Sequence, residues 1–374
     1  MFDELKYSLE FSDAEKMIES IFNNHVISLN QLLIDKSLEE LHIEFKYDVV
    51  GETKNASIRR INEQDRKDGY IVYFSINLLN KIESVYHRLL AEENSIFYGY
   101  LSPINSKYNE EKAEKLVAFM KILSVANILL HELGHIYNGH YDYLLENGYL
   151  EKSRSKLDLI NDYDNNFDNY KLKVYQACEW NADDFATTQM VSYYISDDII
   201  NNVNDKMQYK LIPDLDHMLI AVVTATYINF CILGIGRENN IKDVKKSKYL
   251  PLRYRSYRNV ENIIQIENCI NKNRNRSFKF DQALTKDYLY NLEYTYNALQ
   301  NALKIYREEG AKVYNIEKEN RKGQEWSCNN NLHELKKDNL DYYKRVEILY
   351  LKELPKLLYG FSYLTVLLDF DYFV

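Results

Sequence analysis

The chain has 374 residues, with 47 Lys and Arg against 56 Asp and Glu, a formal net charge of −9. A net negative chain is a poor general binder of a phosphate backbone, which rewards clustered cations. With 11 Gly and 4 Pro it is too poor in turn residues for a many-stranded sandwich or barrel, and it reads as mostly helical.

In chain order, the N-terminal MFDELKYSLEF is acidic and amphipathic and lacks the basic and apolar regions of a secretory signal. Residues Ser12 to Leu33 carry apolar positions at helical spacing behind a capping-box-like Ser12-Asp13-Ala14-Glu15. Three short extended stretches follow: His42 to Val50, Ala56 to Ile61, and Tyr70 to Ile76, the last rich in β-branched and aromatic residues. Gly51 and Asp68-Gly69 punctuate them as turns, and a small antiparallel sheet is expected. Tyr70 to Ile76 is also a candidate sheet edge that could bind an extended peptide by strand addition. From Leu78 the chain reads as helices: Leu78 to Leu90, Glu110 to about Tyr143 as one or two helices, Val174 to about Tyr194, and His217 to about Leu233. Loops are expected over Phe97 to Ser106 and over the Asp- and Asn-rich Ser153 to Tyr170. Met218 to Gly236 is apolar enough for a short membrane span, but Thr224, Thr226 and Asn229 interrupt it and no basic cluster precedes it. It is therefore read as a core helix.

The stretch from Asn239 to Arg276 is basic, and within it Lys242 to Arg276 interleaves cations with Tyr249, Tyr254 and Tyr257. Such a run can bind single-stranded nucleic acid, although a solvated face is the plainer reading. From Asp281 to Val374 the chain is Tyr- and Leu-rich and helical. The expected organisation is a domain over 1–265 with a C-terminal helical region, 266–374, packed on it. The 34 Tyr supply rings that pack at one end and hydrogen-bond at the other, which names no function. The cysteines, Cys178, Cys231, Cys269 and Cys328, form no CxxC pair, so neither a disulfide framework nor a thiolate zinc site is indicated. A reducing cytoplasm is the expected location.

The chemistry-bearing stretch is Leu129 to His140, LLHELGHIYNGH. It contains His131-Glu132-Leu133-Gly134-His135, and an HExxH arises by chance in about one chain in a hundred of this composition. Residues four apart on a helix differ by about 40° around its axis, so both imidazoles project from one face and can share a metal ion. Glu132 lies about 100° from His131, placed to hold a water rather than to ligate. Gly134 costs a helix about 1 kcal/mol relative to Ala, which implies that something packs closely against it.

A hydrolytic zinc needs a third protein ligand and an open position. His140 would serve only if the helix broke at Gly139, since it lies about 140° around from His135. The better source is Ala177 to Ala186, ACEWNADDFA. Glu179 and Asp183 are four apart and share a face; one can bind the metal while the other accepts the spare N–H of a ligand imidazole. Ala182 and Ala186 are small enough to let the two helices approach. Asp184 points about 100° away from Asp183 and reads as a surface group.

HELGH followed by EWNADDFA resembles the gluzincin zinc metallopeptidases, nearest to the Lit-type phage-exclusion and ImmA/IrrE-type peptidases. The resemblance covers about Tyr70 to Ala186. It implies an α+β, mostly helical chain with a zincin-like catalytic core. It implies Zn2+ on His131, His135 and Glu179, with Glu132 as general base and Asp183 behind a ligand histidine. Related peptidases often carry a downstream His-Pro followed by an Arg; here Leu250 precedes Pro251. The oxyanion donor therefore stays open among His217, Tyr254 and Arg255. The expected partners are a protein or peptide substrate and an activating partner, with no membrane and no nucleic acid. Two other readings stand beside this one: an interaction protein with a structural or degenerate metal site, and a nucleic-acid-binding regulator using the basic run.

Overall fold

The computed structural model describes residues 14–48, 56–61, 69–90, 107–149, 169–234 and 344–363, with positions 98, 101, 250, 255, 258, 259, 262, 263 and 266. The expectations for the loop 153–168, most of the basic run including Tyr249, Tyr254 and Tyr257, and the tail over 281–343 lie outside these residues. The described chain is α+β and mostly helical. Its elements are α1 (Ala14–Ile34), β1 (His42–Asp48), β2 (Ala56–Arg60), β3 (Gly69–Ser75), α2 (Ile76–Leu90), α3 (Glu110–Tyr137), α4 (His140–Glu146), α5 (Asn169–Tyr194), α6 (Asp197–Met207) and α7 (Leu215–Gly234). A short π-helical turn, Leu349–Glu353, runs into α8 (Leu354–Leu357).

The sheet is mixed rather than antiparallel. Its order is β1-β3-β2, with β1 parallel and β2 antiparallel to β3. The strands alternate in direction along the chain, which in sequential order would give an antiparallel meander. β3 (GYIVYFS) is the most apolar strand and takes the centre, where both its faces are buried. That puts β1 beside a strand running its own way. It also removes β3 as a free edge for strand addition, because both of its sides are already paired.

α3 is the axis of the fold. Asn109 caps it, its side chain accepting from the Lys112 amide at 2.8 Å, and Glu110 and Glu111 suit the positive end of its dipole. From Ile122 to Tyr137 every residue except His131 is buried, as expected of a helix apolar on all sides. α5, α2, α7 and α1 pack around it. Among the described residues α3 is the one helix long and apolar enough to cross a membrane, and most of that stretch is buried inside the fold. α7, expected as a core helix, packs on α3, and the amide nitrogen of Asn229 is answered from within. Asn229 Nδ2 donates to the Ser124 carbonyl at 2.9 Å and to Asn127 Oδ1 at 3.0 Å.

One helix went unread in the sequence, and one division was left open. α6 falls where no element was assigned; Ser196 caps it, accepting from the Ile199 amide. The stretch from Glu110 to about Tyr143, expected as one or two helices, is two, divided at Gly139, which adopts φ +71° between α3 and α4. A Cβ there would lie 2.3 Å from the Phe361 carbonyl carbon and oxygen, so the break also admits the backbone of the C-terminal segment. That segment is tied down by the Tyr363 amide donating to the Tyr137 carbonyl at 2.9 Å.

Candidate metal centre

The site forms where α3 crosses α5. Gly134 makes the close approach possible: a Cβ at this position would meet Phe185 atoms of α5 at 3.1–3.2 Å. Ala182 and Ala186, both buried, keep the α5 side equally thin.

Across this crossing His131, His135 and Glu179 come together and could hold a metal ion. His131 Nε2 and His135 Nε2 are 3.2 Å apart. Each faces an oxygen of Glu179 at 3.5 Å, Oε2 for His131 and Oε1 for His135. Glu132 follows His131 on α3 and is 9% exposed. His131 is the most open of the three ligand candidates, its side chain 17% exposed against 3% for His135 and 6% for Glu179.

Behind these groups stands a second layer. His131 Nδ1 lies 2.9 Å from Asp183 Oδ1. Arg255, one of the helical positions after Leu250, grips Asp183 bidentately, with Nε to Oδ2 at 2.7 Å and a terminal nitrogen to Oδ1 at 2.8 Å. The same terminal nitrogen is 3.2 Å from Glu179 Oε2. The Tyr175 hydroxyl donates to Glu179 Oε1 at 2.8 Å from one turn earlier on α5. His140 lies fully buried with its Nδ1 3.1 Å from His135 Nδ1 and its Nε2 2.9 Å from Asn181 Oδ1.

The electrostatics follow from this packing. Burial pushes the Glu179 and Asp183 carboxyls up, but the histidine and Arg255 partners outweigh it and hold both below their ordinary values. Burial likewise pushes His131 down, and hydrogen bonds to Asp183 and Glu179 reverse this, lifting the metal-free ring to about 10. His135, with no carboxylate behind it, is pushed down by burial to about 4.

The other sequence candidates fall differently. Arg255 does reach the site, but its guanidinium is committed to two carboxylates rather than aimed at a developing oxyanion. His217 sits in a partly exposed pair with Asp214, Nδ1 to Oδ1 at 2.7 Å. Tyr254 lies outside the described residues. Asp184 is not a free surface group: it is only partly exposed and accepts from the Tyr350 hydroxyl at 2.6 Å and from Asn262 Nδ2 at 3.0 Å. Its partners come from far along the chain, so its helical phase alone could not reveal them. Cys178 is a buried free thiol. Sequence reasoning missed Tyr175, Asn138 and Asn181. A tyrosine one turn ahead of Glu179 was the available signal for the first; nothing local marked the asparagines. Comparison with protein-family models, curated proteins and solved structures returned no match.

Proposed function

We propose that this chain is a zinc-dependent endopeptidase that hydrolyses a peptide bond in an intracellular protein. The observation that carries the reading is the convergence of His131, His135 and Glu179 at 3.2–3.5 Å. Ligand atoms about 2.0–2.1 Å from a tetrahedral zinc lie about 3.3–3.4 Å from one another, so the donor spacing fits that ion. Two imidazoles with one carboxylate also suit zinc better than the oxygen-seeking magnesium or calcium. A structural zinc site closes all four positions with protein ligands, whereas three are gathered here among the described residues, the pattern of a hydrolytic site.

When bound, zinc lowers the pKa of a coordinated water and polarises a carbonyl. The residues of the chain would do the rest. Glu132 takes the proton that the attacking water sheds and delivers it to the departing amine. Asp183 accepts the His131 Nδ1 proton and so turns His131 Nε2 towards the site. Arg255 keeps Asp183 and Glu179 ionised in a buried setting that would otherwise protonate them. The partial exposure of His131 marks the side from which an extended substrate would enter. A role in phage defence or a stress response, with an activating partner, is proposed on the motif resemblance alone.

The test starts from metal content. Purified protein should carry about one zinc per chain, and His135→Ala should lose it. Glu132→Gln should keep the zinc and lose about 100-fold or more in cleavage of a proteome-derived peptide library read by mass spectrometry. A protein without zinc, or one whose zinc survives His135→Ala undiminished, overturns the peptidase reading. A fully active Glu132→Gln removes the general-base role.

A further inference from the structure

Resting on that metal-site reading, we propose that His140 and Asn181 are positioning residues that select the tautomer of His135. They leave its Nε2 with a lone pair beside His131 and Glu179.

The argument is a count of donors. Asn181 Oδ1 lies 2.7 Å from Asn138 Nδ2 and 2.9 Å from His140 Nε2. A side-chain carbonyl oxygen only accepts, so His140 carries its proton on Nε2. A doubly protonated His140 is excluded by its setting: it is fully buried, and the partners of its two ring nitrogens, His135 and Asn181, are neutral. His140 Nδ1 is then an acceptor. It lies 3.1 Å from His135 Nδ1, which must be the donor of that bond. A neutral imidazole with its proton on Nδ1 has a free lone pair on Nε2. That is the atom 3.2 Å from His131 Nε2 and 3.5 Å from Glu179 Oε1.

The Asn181 amide is oriented from its other end. The Tyr350 hydroxyl gives its proton to Asp184 Oδ2 at 2.6 Å and also hydrogen-bonds the Asn181 side chain, so the hydroxyl oxygen accepts from Asn181 Nδ2. That leaves Asn181 Oδ1 facing His140, where Asn138 Nδ2 also donates to it. The opposite orientation of the Asn181 amide would reverse every donor and leave an N–H on His135 Nε2, pointing at His131. Gly139 brings the relay into range: its left-handed backbone ends α3 and swings the first residue of α4 back against the last turn. The two ligand histidines are thus held by unlike means. His131 donates to a carboxylate, His135 to a neutral ring that depends in turn on an amide. The sequence pattern is the Asn138-Gly139-His140 that follows the motif, together with an Asn two residues after Glu179.

Zinc affinity, measured by competition with a chromophoric chelator on the full chain, tests this. His140→Phe and Asn181→Leu should each weaken zinc about 10- to 100-fold. His140→Gln, whose side-chain carbonyl can accept from His135 Nδ1, should recover to within about threefold of wild type, a rescue that simple cavity filling would not give. The tautomer itself is read on chelated wild-type protein by 15N-histidine NMR, independently of how any variant folds. A proton on His135 Nδ1 supports the relay and one on Nε2 overturns it. Wild type that binds zinc while His140→Phe binds it equally well overturns this proposal and leaves the metal site standing. Wild type that binds no zinc overturns the metal reading itself.

Discussion

His131, His135 and His140 are the same side chain within ten consecutive residues, yet their rings meet an aspartate, another imidazole and an amide. Spacing put the first two on one helical face. What stands behind each ring is decided by α5 and by the turn at Gly139, which spacing does not report. Another buried histidine, His25, shows what burial does without a site. It is 3% exposed, its Nε2 is 3.2 Å from the Tyr194 oxygen, and burial pushes it down to about 4. Its effect on stability has a definite sign. Between pH 6.5 and 4 the unfolded chain takes up a proton that the folded ring refuses, so the contribution is full above 6.5 and lost as pH falls towards 4. At pH 5 the loss is about 2 kcal/mol. His25→Gln keeps a polar partner for Tyr194 and cannot titrate. Urea unfolding at pH 7.5 and pH 5 should therefore show wild type losing about 2 kcal/mol more than the variant. Equal losses in the two proteins would count against a neutral, buried His25.

At the level of elements, the geometry of the candidate metal centre is the contact of two helices, and much of it was legible. HExxH and the later Glu179–Asp183 pair each define a face by helical period, and Gly134 announced a close neighbour that proves to be Phe185. Pairings across long separations were not legible. Arg255 reaches Asp183 from 72 residues away, and no local pattern distinguishes it from the other cations of its basic segment. The sheet failed for a related reason: strand direction follows from connection, but strand order follows from which strand is most apolar. Gly139 joins the two levels, since its positive φ both ends α3 and leaves room for the Phe361 backbone. Alanine there would meet the left-handed penalty of about 1 kcal/mol or more, together with a contact that cannot exist without moving the C-terminal segment. Gly139→Ala should therefore destabilise by about 2 kcal/mol or more in chemical denaturation. A change under about 0.5 kcal/mol would mean that the turn is not held as described.

For the molecule as a whole, the outer face of α5 is covered by residues that lie between 78 and 170 positions later. Tyr350 stacks on Trp180 with ring centres 5.2 Å apart, Arg258 lies over the same indole at 5.1 Å, and the Tyr350 hydroxyl reaches Asp184. The covering comes at the expense of a carboxylate. Burial pushes Asp184 up to about 7, the Tyr350 hydrogen bond opposing it and the neighbouring Asp183 adding to it. The sign is opposite to that of His25. A folded pKa raised above the unfolded 3.8 favours the fold below 3.8, and that advantage disappears as pH rises through 7. At pH 8 the protein therefore holds an ionised, partly buried carboxylate beside a second one. Asp184→Asn removes the charge and keeps the contacts: its oxygen can accept from Asn262, and its amide can donate to the Tyr350 hydroxyl. Because Asp184 is not fully buried, solvent screens part of the effect, and the expected gain is about 1–2 kcal/mol at pH 8. The gain should shrink steadily as pH is lowered towards 5, because there the native carboxyl already carries its proton. A variant no more stable than wild type at pH 8, or one whose advantage ignores pH, would show that Tyr350 and Asn262 fully compensate the charge. The C-terminal segment would then be seated on an ion it stabilises rather than on one it strains against.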